Sequence, residues 1–211
     1  SDGAKLQAQY SMAQLYFVTE DYQKGVNALL VWFKKNEEAG TPPGAAAHVL
    51  LAQGYYQIKD YNNALKHVNF AVDDYKAKGK VPKENWYSLQ RFLYYEKNDY
   101  KKVVQILQEL LTHYPKKSYW MQLSAMYSEL KDEKRQYYSM DTAYVQGMLD
   151  RESELINMAY LYLSNDVPYK AAKVLDKGIK DKVIKPTSKN LELLGNSWRA
   201  AQELAKAIPE M

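Results

Sequence analysis

Apolar residues recur three and four positions apart along most of this chain, and short polar turns interrupt them at regular intervals. That pattern predicts amphipathic helices arranged in consecutive pairs. The turns Asp21-Tyr22, Asp60-Tyr61 and Asp99-Tyr100 follow one another at 39 residues, which sets a frame with helix A before each turn and helix B after it. In that frame Tyr16, Tyr55 and Tyr94 occupy one position of helix A, and Gly25, Ala64 and Val103 one position of helix B. Val103 is bulky where its counterparts are small. Three further frames follow: Trp120 to Tyr127 opens the fourth, Leu155 through Ala159 to Tyr162 the fifth, and Leu191 with Leu194-Gly195 and Trp198 the sixth, with Ala143 and Ala171 as small residues of helix B.

The six frames are offset by 39, 39, 33, 35 and 36 residues, so the first two intervals are longer than the rest. The additional residues fall between helix B and the next helix A. One insertion spans Glu37 to Gly44 and contains Pro42-Pro43-Gly44; the other spans Lys76 to Lys83 and contains Gly79 and Pro82. Proline and glycine there end one helix and set the entry to the next. Pro115 closes the third unit after Leu110, Leu111 and Tyr114, and Asp150 and Ser153 are the expected caps of the fifth helix A. The logic is the same in every unit. A small residue lets helices A and B approach closely, and stacking on neighbours buries stripes that one pair cannot bury alone.

The stretch Trp120-Met121-Gln122-Leu123-Ser124-Ala125-Met126-Tyr127 resembles the opening helix of the tetratricopeptide repeat (TPR), with Ser124 in place of the usual glycine. The resemblance implies an all-α fold, a right-handed TPR superhelix or α-solenoid of antiparallel helix pairs. It also implies a single array over residues 1–211, of about five full repeats and a truncated sixth. Helix A of the sixth unit is expected to be followed by a short helix B from Glu203 to Ile208, as in a piece of a longer array.

In TPR arrays the A helices line a groove, with side chains facing it from positions two, five, six, nine, twelve and thirteen of each frame. Carried onto this chain, that rule gives Tyr10, Gln14 and Phe17 in the first unit and Val49, Gln53, Tyr56 and Gln57 in the second. Asn85, Phe92 and Tyr95 follow in the third, Met121 and Gln122 in the fourth, Asn157 and Tyr160 in the fifth, and Glu192, Asn196 and Arg199 in the sixth. The basic residues with which some TPR groups grip a C-terminal carboxylate are missing over the first three units. Rings alternate with amides instead, a surface suited to a peptide whose apolar side chains rest on rings while amides meet its backbone. Trp120 and Trp198, and with them Trp32 and Trp86, are expected to pack.

Composition narrows the chemistry. With 46% hydrophobic and 26% charged residues the chain is of an ordered class, and its 20 tyrosines call for many half-buried seats in which a ring packs and its hydroxyl reaches water. The net charge of +4 is spread over several helices, and the pairs Lys34-Lys35, Lys101-Lys102 and Lys116-Lys117 lack an interleaved stacking motif, so neither nucleic acid nor a membrane surface is indicated. Cysteine is absent, which excludes disulfides and thiolate chemistry within these residues. No apolar run reaches the ~20 residues of a membrane span. No leader is seen, and Ser1-Asp2-Gly3 reads as the edge of a fragment. His48, His67 and His113 read as scattered, without helical partners, and no phosphate loop or metal-ligand spacing occurs. Neither an enzyme nor a cofactor is expected.

A finer resemblance rests on Lys116-Lys117-Ser118-Tyr119-Trp120 within Pro115 to Met148, and on Pro168-Tyr169-Lys170-Ala171-Ala172 and Asn190-Leu191-Glu192-Leu193-Leu194-Gly195-Asn196 within Glu154 to Met211. With the Pro42-Pro43-Gly44 insertion, these resemble the periplasmic TPR proteins found beside TonB and ExbB-ExbD-type energy-transduction components in gamma-proteobacteria. That resemblance implies a periplasmic adaptor of TonB-dependent transport acting through protein contacts, although the residues themselves leave the cytosol equally open. The alternative is a structural scaffold that self-associates through its C-terminal repeat and its B helices.

Overall fold

The computed structural model describes residues 2–207, with side-chain environments through 202. Eleven helices and no strands occupy the described residues. They fall into two compact units, Ser1–Tyr114 and Pro115–Met211.

The first unit holds α1 (Asp2–Val18), α2 (Tyr22–Glu38), α3 (Ala45–Gln57), α4 (Tyr61–Ala77), α5 (Glu84–Glu96) and α6 (Tyr100–His113). They pack as the pairs α1·α2, α3·α4 and α5·α6, and each pair leans on the next through α2·α3 and α4·α5. The second unit holds α7 (Lys117–Glu129), α8 (Glu133–Val145), α9 (Glu152–Ser164), α10 (Pro168–Lys180) and α11 (Ser188–Ala207), with α7·α8 and α9·α10 paired and α11 on α10. Sequence reading places a short second helix from Glu203 in the sixth unit. Here α11 runs unbroken through Glu203 to Ala207, and Ile208 lies outside the described residues.

One device makes each turn from helix A to helix B. Glu20, Lys59, Asn98, Lys131 and Asp166 take left-handed φ values between 55° and 63°, and the amide three residues beyond the helix end returns to the carbonyl of the repeat's signature tyrosine. Asp21, Asp60, Asp99, Asp132 and Val167 thus donate to the carbonyls of Tyr16, Tyr55, Tyr94, Tyr127 and Tyr162 at 2.8–3.0 Å. This is the Schellman closure, in which otherwise orphaned C-terminal carbonyls are satisfied. In the first four turns the same aspartate then caps helix B, its carboxylate accepting from the amides of Lys24, Asn63, Lys102 and Arg135. At α9, neither Asp150 nor Ser153 is the cap. Arg151 holds that position, and Glu154 reaches back to the amides of Asp150 and Arg151, satisfying two donors from inside the first turn.

The small positions work as steric permits. Ala13, Ala52, Ala64, Ala143, Ala159 and Ala171 are fully excluded from solvent, and Val103 fits the same kind of seat. Leu29, Leu51, Val68, Leu93, Leu107 and Leu110 fill the first core, and Met158, Tyr162, Leu175 and Ile184 the second. Each such side chain contributes about 1.5–3 kcal/mol by leaving water. Polar links one repeat long tie neighbouring pairs: Lys76 to Glu109 at 2.9 Å, Lys117 to Asp150 at 2.7 Å, and Glu152 to the amide of Lys185 at 3.1 Å, each separated by 33 residues. Trp86 is buried, whereas Trp32, Trp120 and Trp198 are half-buried; Trp120 lies on the second core and Trp198 stands edge-on to Tyr169. No described helix is long and apolar enough to cross a membrane.

Candidate functional site

In the first unit the A helices share a face, and that face carries an open pocket of about 390 Å³. Phe17 from α1, Tyr22 from the start of α2, Leu50, Gln53, Tyr56 and Gln57 from α3, and Leu89 from α5 line it. No lining residue carries a formal charge. Four of them, Phe17, Gln53, Tyr56 and Gln57, are groove residues of the sequence frame.

Phe17 owes its seat to two glycines. A Cβ on Gly25 would lie 3.0 Å from the Phe17 ring, and one on Gly54 would lie 2.5 Å from it and 2.7 Å from Val26. Where α3 has Gly54, the first and third frames have Leu15 and Leu93, so α3 is hollowed at this point and the ring of α1 leans into the hollow. The pocket floor is therefore an aromatic surface fixed by backbone proximity.

A second regularity surrounds it. The A-helix rings Phe17, Tyr56 and Tyr95 each pair with the first residue of the following helix B, Tyr22, Tyr61 and Tyr100, at centroid separations of 6.5, 6.0 and 5.7 Å. Phe92 stands edge-on to Tyr56 and Tyr61 at 5.2 and 6.0 Å, which joins the second and third pairs of rings. Such tilted, stacked and edge-on contacts hold rings in defined orientations and add about 0.5–1.5 kcal/mol each beyond burial. The face offers oriented rings interrupted by Gln53 and Gln57, whose amides are exposed.

The other expected groove residues fall as follows. Gln14, Asn85 and Tyr95 are exposed in the first unit. Tyr10 is half-buried against Trp32 of α2 at 4.7 Å, and burial raises its phenol above the usual range, so it acts as a packing ring. Val49 is buried and contributes no surface. In the second unit Met121, Asn157, Tyr160, Asn196, Glu192 and Arg199 are exposed, while Gln122 is half-buried and already engaged. Tyr22, Leu50, Tyr61, Leu89 and Tyr100 were absent from the expected set. Leu50 and Leu89 sit at position six of the frame, which points to the groove, and the three tyrosines are the ones that mark the turns.

A larger concavity of about 580 Å³ opens on the other side of α5, between α4 and α6. Its lining is polar: Gln90 donates to Asn69 at 2.8 Å, Asn69 to the Tyr94 hydroxyl at 3.0 Å, and the Tyr87 hydroxyl to Glu109 at 3.1 Å. Burial, with Glu109 beside it, holds the Tyr87 phenol protonated, and the Lys76 ammonium lowers the Glu109 carboxyl. A matching trio in the second unit joins the buried Tyr162 hydroxyl and Lys170 to Asp141. These side chains satisfy one another, which is what burial of polar groups demands.

The histidines are not scattered as the sequence suggested. His48 of α3 and His67 of α4 meet across one helix pair, with their Nδ1 atoms 2.9 Å apart. Antiparallel packing joins residues 19 apart, a relation that a search for helical neighbours passes over. His113 stands apart from them, near Glu109 and Tyr114. Among the described residues, no three histidine, aspartate or glutamate side chains converge to hold a metal ion.

No protein-family model matches the chain, and no curated protein matches it by sequence. Solved structures match it by shape. A crystal structure of MamA aligns with a TM-score of 0.56 at 11% identity, covering 84% of this chain and 92% of that one. The TPR-like repeats of a kinesin light chain from Podospora anserina align at 0.50 and 15% identity, over 84% and 94% of the two chains. A structure of Naa15/Naa10 bound to HypK-THB aligns at 0.57 and 14% identity over 98% of this chain and 37% of that one. At such identities the likeness concerns the fold, and the fold of this chain is the all-α stack of helix pairs found in TPR-like repeat proteins.

Proposed function

We propose that the chain is a protein-binding adaptor whose first unit grips an apolar side chain of a peptide or protein partner. The observation that carries this reading is the uncharged pocket built from Phe17, Tyr22, Leu50, Tyr56 and Leu89, with the exposed amides of Gln53 and Gln57 at its rim. An apolar anchor desolvated against oriented rings supplies affinity, and amides that bond to peptide backbone set its direction. The fold adds support, since stacked helix pairs present long surfaces to partners.

The setting is a finer matter. A periplasmic location, and a TonB or ExbB-ExbD-type component as the partner, rest on the sequence resemblance alone. A photo-crosslinking residue placed at Gln53 in cells of a gamma-proteobacterium tests pocket and setting together. A discrete adduct from Gln53, absent from Lys101 on α6 and lost with Tyr56→Ala, is the expected result. Equal labelling from both positions, or an adduct indifferent to Tyr56, overturns the pocket, and an adduct with a cytosolic protein overturns the setting.

A scaffold that self-associates is favoured by a different observation. On the first helix pair, Met12, Leu15, Val18 and Val31 are 51, 54, 79 and 52% exposed, and Met12 and Val31 border an apolar hollow of about 320 Å³ with Ala8, Gln9 and Ala28. Sequence reading placed self-association on the truncated C-terminal repeat and the B helices; this apolar surface lies on the first pair, on its helix A, α1, and its helix B, α2. Sedimentation of wild type against Met12→Glu/Val31→Glu decides between them: a dimer abolished by the double change supports the scaffold, and a monomer in both removes it.

A further inference from the structure

The histidine pair on α3 and α4 serves no role in the pocket, and its geometry has a consequence of its own. The two imidazoles lie with centroids 5.1 Å apart and planes tilted by 30°, directing Nδ1 at Nδ1 across 2.9 Å. Aromatic rings clamp them. Phe33 of α2 stands edge-on to both, Phe70 stacks on His48 at 3.8 Å, and Tyr55 lies nearly parallel to His67.

A bond between two Nδ1 atoms requires opposite tautomers. One ring donates from Nδ1–H, and the other accepts at Nδ1 and carries its own hydrogen on Nε2. A first added proton can enter at Nε2 of the donor and leave the bond in place. A second must enter at Nδ1 of the acceptor, which removes the lone pair, sets two N–H groups head-on and doubles the charge between apolar rings.

We propose that the His48–His67 pair is an acid-sensitive latch between α3 and α4, closed while one Nδ1 remains a bare acceptor and opened when both rings are protonated. The surroundings fit this order of events. Burial lowers both imidazoles, and the neighbouring His67 lowers His48 further, to about 4, so a proton on one ring opposes a proton on the other and the pair takes its two protons in separate steps. Of the charged groups that act on the pair, Lys66 and Asp74 both belong to α4; Lys66 opposes a positive charge, and Asp74, which favours one on His48, is itself held by Lys78 at 2.8 Å. From α2 comes Phe33, and from α3 Tyr55, whose phenol burial keeps protonated. The face of Phe70 gives a His48 cation partial compensation, which is smaller than the penalty of burial. Because α3 also carries Gln53, Tyr56 and Gln57, opening the latch moves a wall of the pocket.

The sign follows from linkage. Histidines held below their unfolded value of 6.5 contribute stability that is complete above that pH and is lost as pH falls towards about 4. The test is imidazole nitrogen NMR on the whole chain, joined to urea unfolding at pH 7 and pH 4 of wild type and His48→Gln/His67→Gln. Opposite tautomers at pH 7, two separate titration steps below 6.5, and a folding constant that falls at least about tenfold more in wild type than in the variant are expected; this fold-change is already discounted for half-exposed rings. Two Nε2–H tautomers at pH 7, or one shared step near 6.5, overturn the latch even where the variant does not fold. Equal acid loss in both proteins also overturns it. So does tight Zn²⁺ binding at pH 7 that displaces the shared hydrogen, which makes the pair a metal site instead.

Discussion

At the scale of single residues, two glycines on helices have opposite duties. Gly54 is a contact: a methyl there meets the Phe17 ring at 2.5 Å and Val26 at 2.7 Å, and both sit in packed surroundings. Gly54→Ala is expected to destabilise by about 1–3 kcal/mol through overpacking, and to displace the ring that floors the pocket. Gly195 lies within α11 with nothing near its missing Cβ, so Gly195→Ala is expected to stabilise by about 0.5–1 kcal/mol through helix propensity alone. Urea unfolding of the two variants reads the sign directly. The hollow at Gly54 was hidden in the sequence, where a glycine inside a helical stripe reads only as a weak helix former. The groove frame was legible at its centre, since Gln14 and Gln53 at position nine are exposed and position twelve supplied Phe17, Tyr56 and Tyr95. At position five the frames diverge: Tyr10 turns onto Trp32 and Val49 is buried, whereas Met121 and Glu192 are exposed, so the neighbour each side chain meets decides there.

At the scale of elements, the turns from helix A to helix B decide how each pair is joined. Asp60 binds the amide of Asn63 at 3.2 Å and its side-chain Nδ2 at 2.7 Å, so Asp60→Ala is expected to lower stability by about 0.5–2 kcal/mol. The residue before it, Lys59, has φ of 63°, where a side chain is strained and glycine is not. Lys59→Gly is therefore expected to raise stability by up to about 1 kcal/mol, against the usual effect of putting glycine near a helix. Thermal melts of the two single variants check opposite shifts arising from adjacent residues. The sequence announced these turns through the recurring Asp-Tyr pairs and the spacing of the signature tyrosines. Their geometry stayed silent because Glu20, Lys59, Asn98, Lys131 and Asp166 share no side-chain type, and what they share is only a position in a closing turn. The same pairs concealed part of the site. The tyrosine after the capping aspartate of each of the first three turns marks a turn in the sequence, yet in space Tyr22, Tyr61 and Tyr100 stand beside the A-helix rings.

At the scale of the whole molecule, the distribution of charge bears on how a partner is held. The chain carries 29 basic and 25 acidic residues, and many of them are consumed in local pairs such as Lys24 with Asp21, Lys177 with Asp181 and Lys180 with Asp176. Exposed pairs of this kind contribute little stability, roughly 0–1 kcal/mol each, and weaken one another's fields at a distance. The pocket itself has no charged wall. A partner gripped there through an apolar side chain and amide bonds should consequently be insensitive to salt, because screening acts on charges and leaves apolar burial intact or slightly strengthened. Once the crosslinked partner is in hand, its dissociation constant is expected to change less than about twofold between 50 and 500 mM sodium chloride, with the loss on Tyr56→Ala equal at both salts. A steep decline with salt would move the binding surface to the charged helix faces, and with it the assignment of Gln53, Tyr56 and Gln57 as the gripping residues.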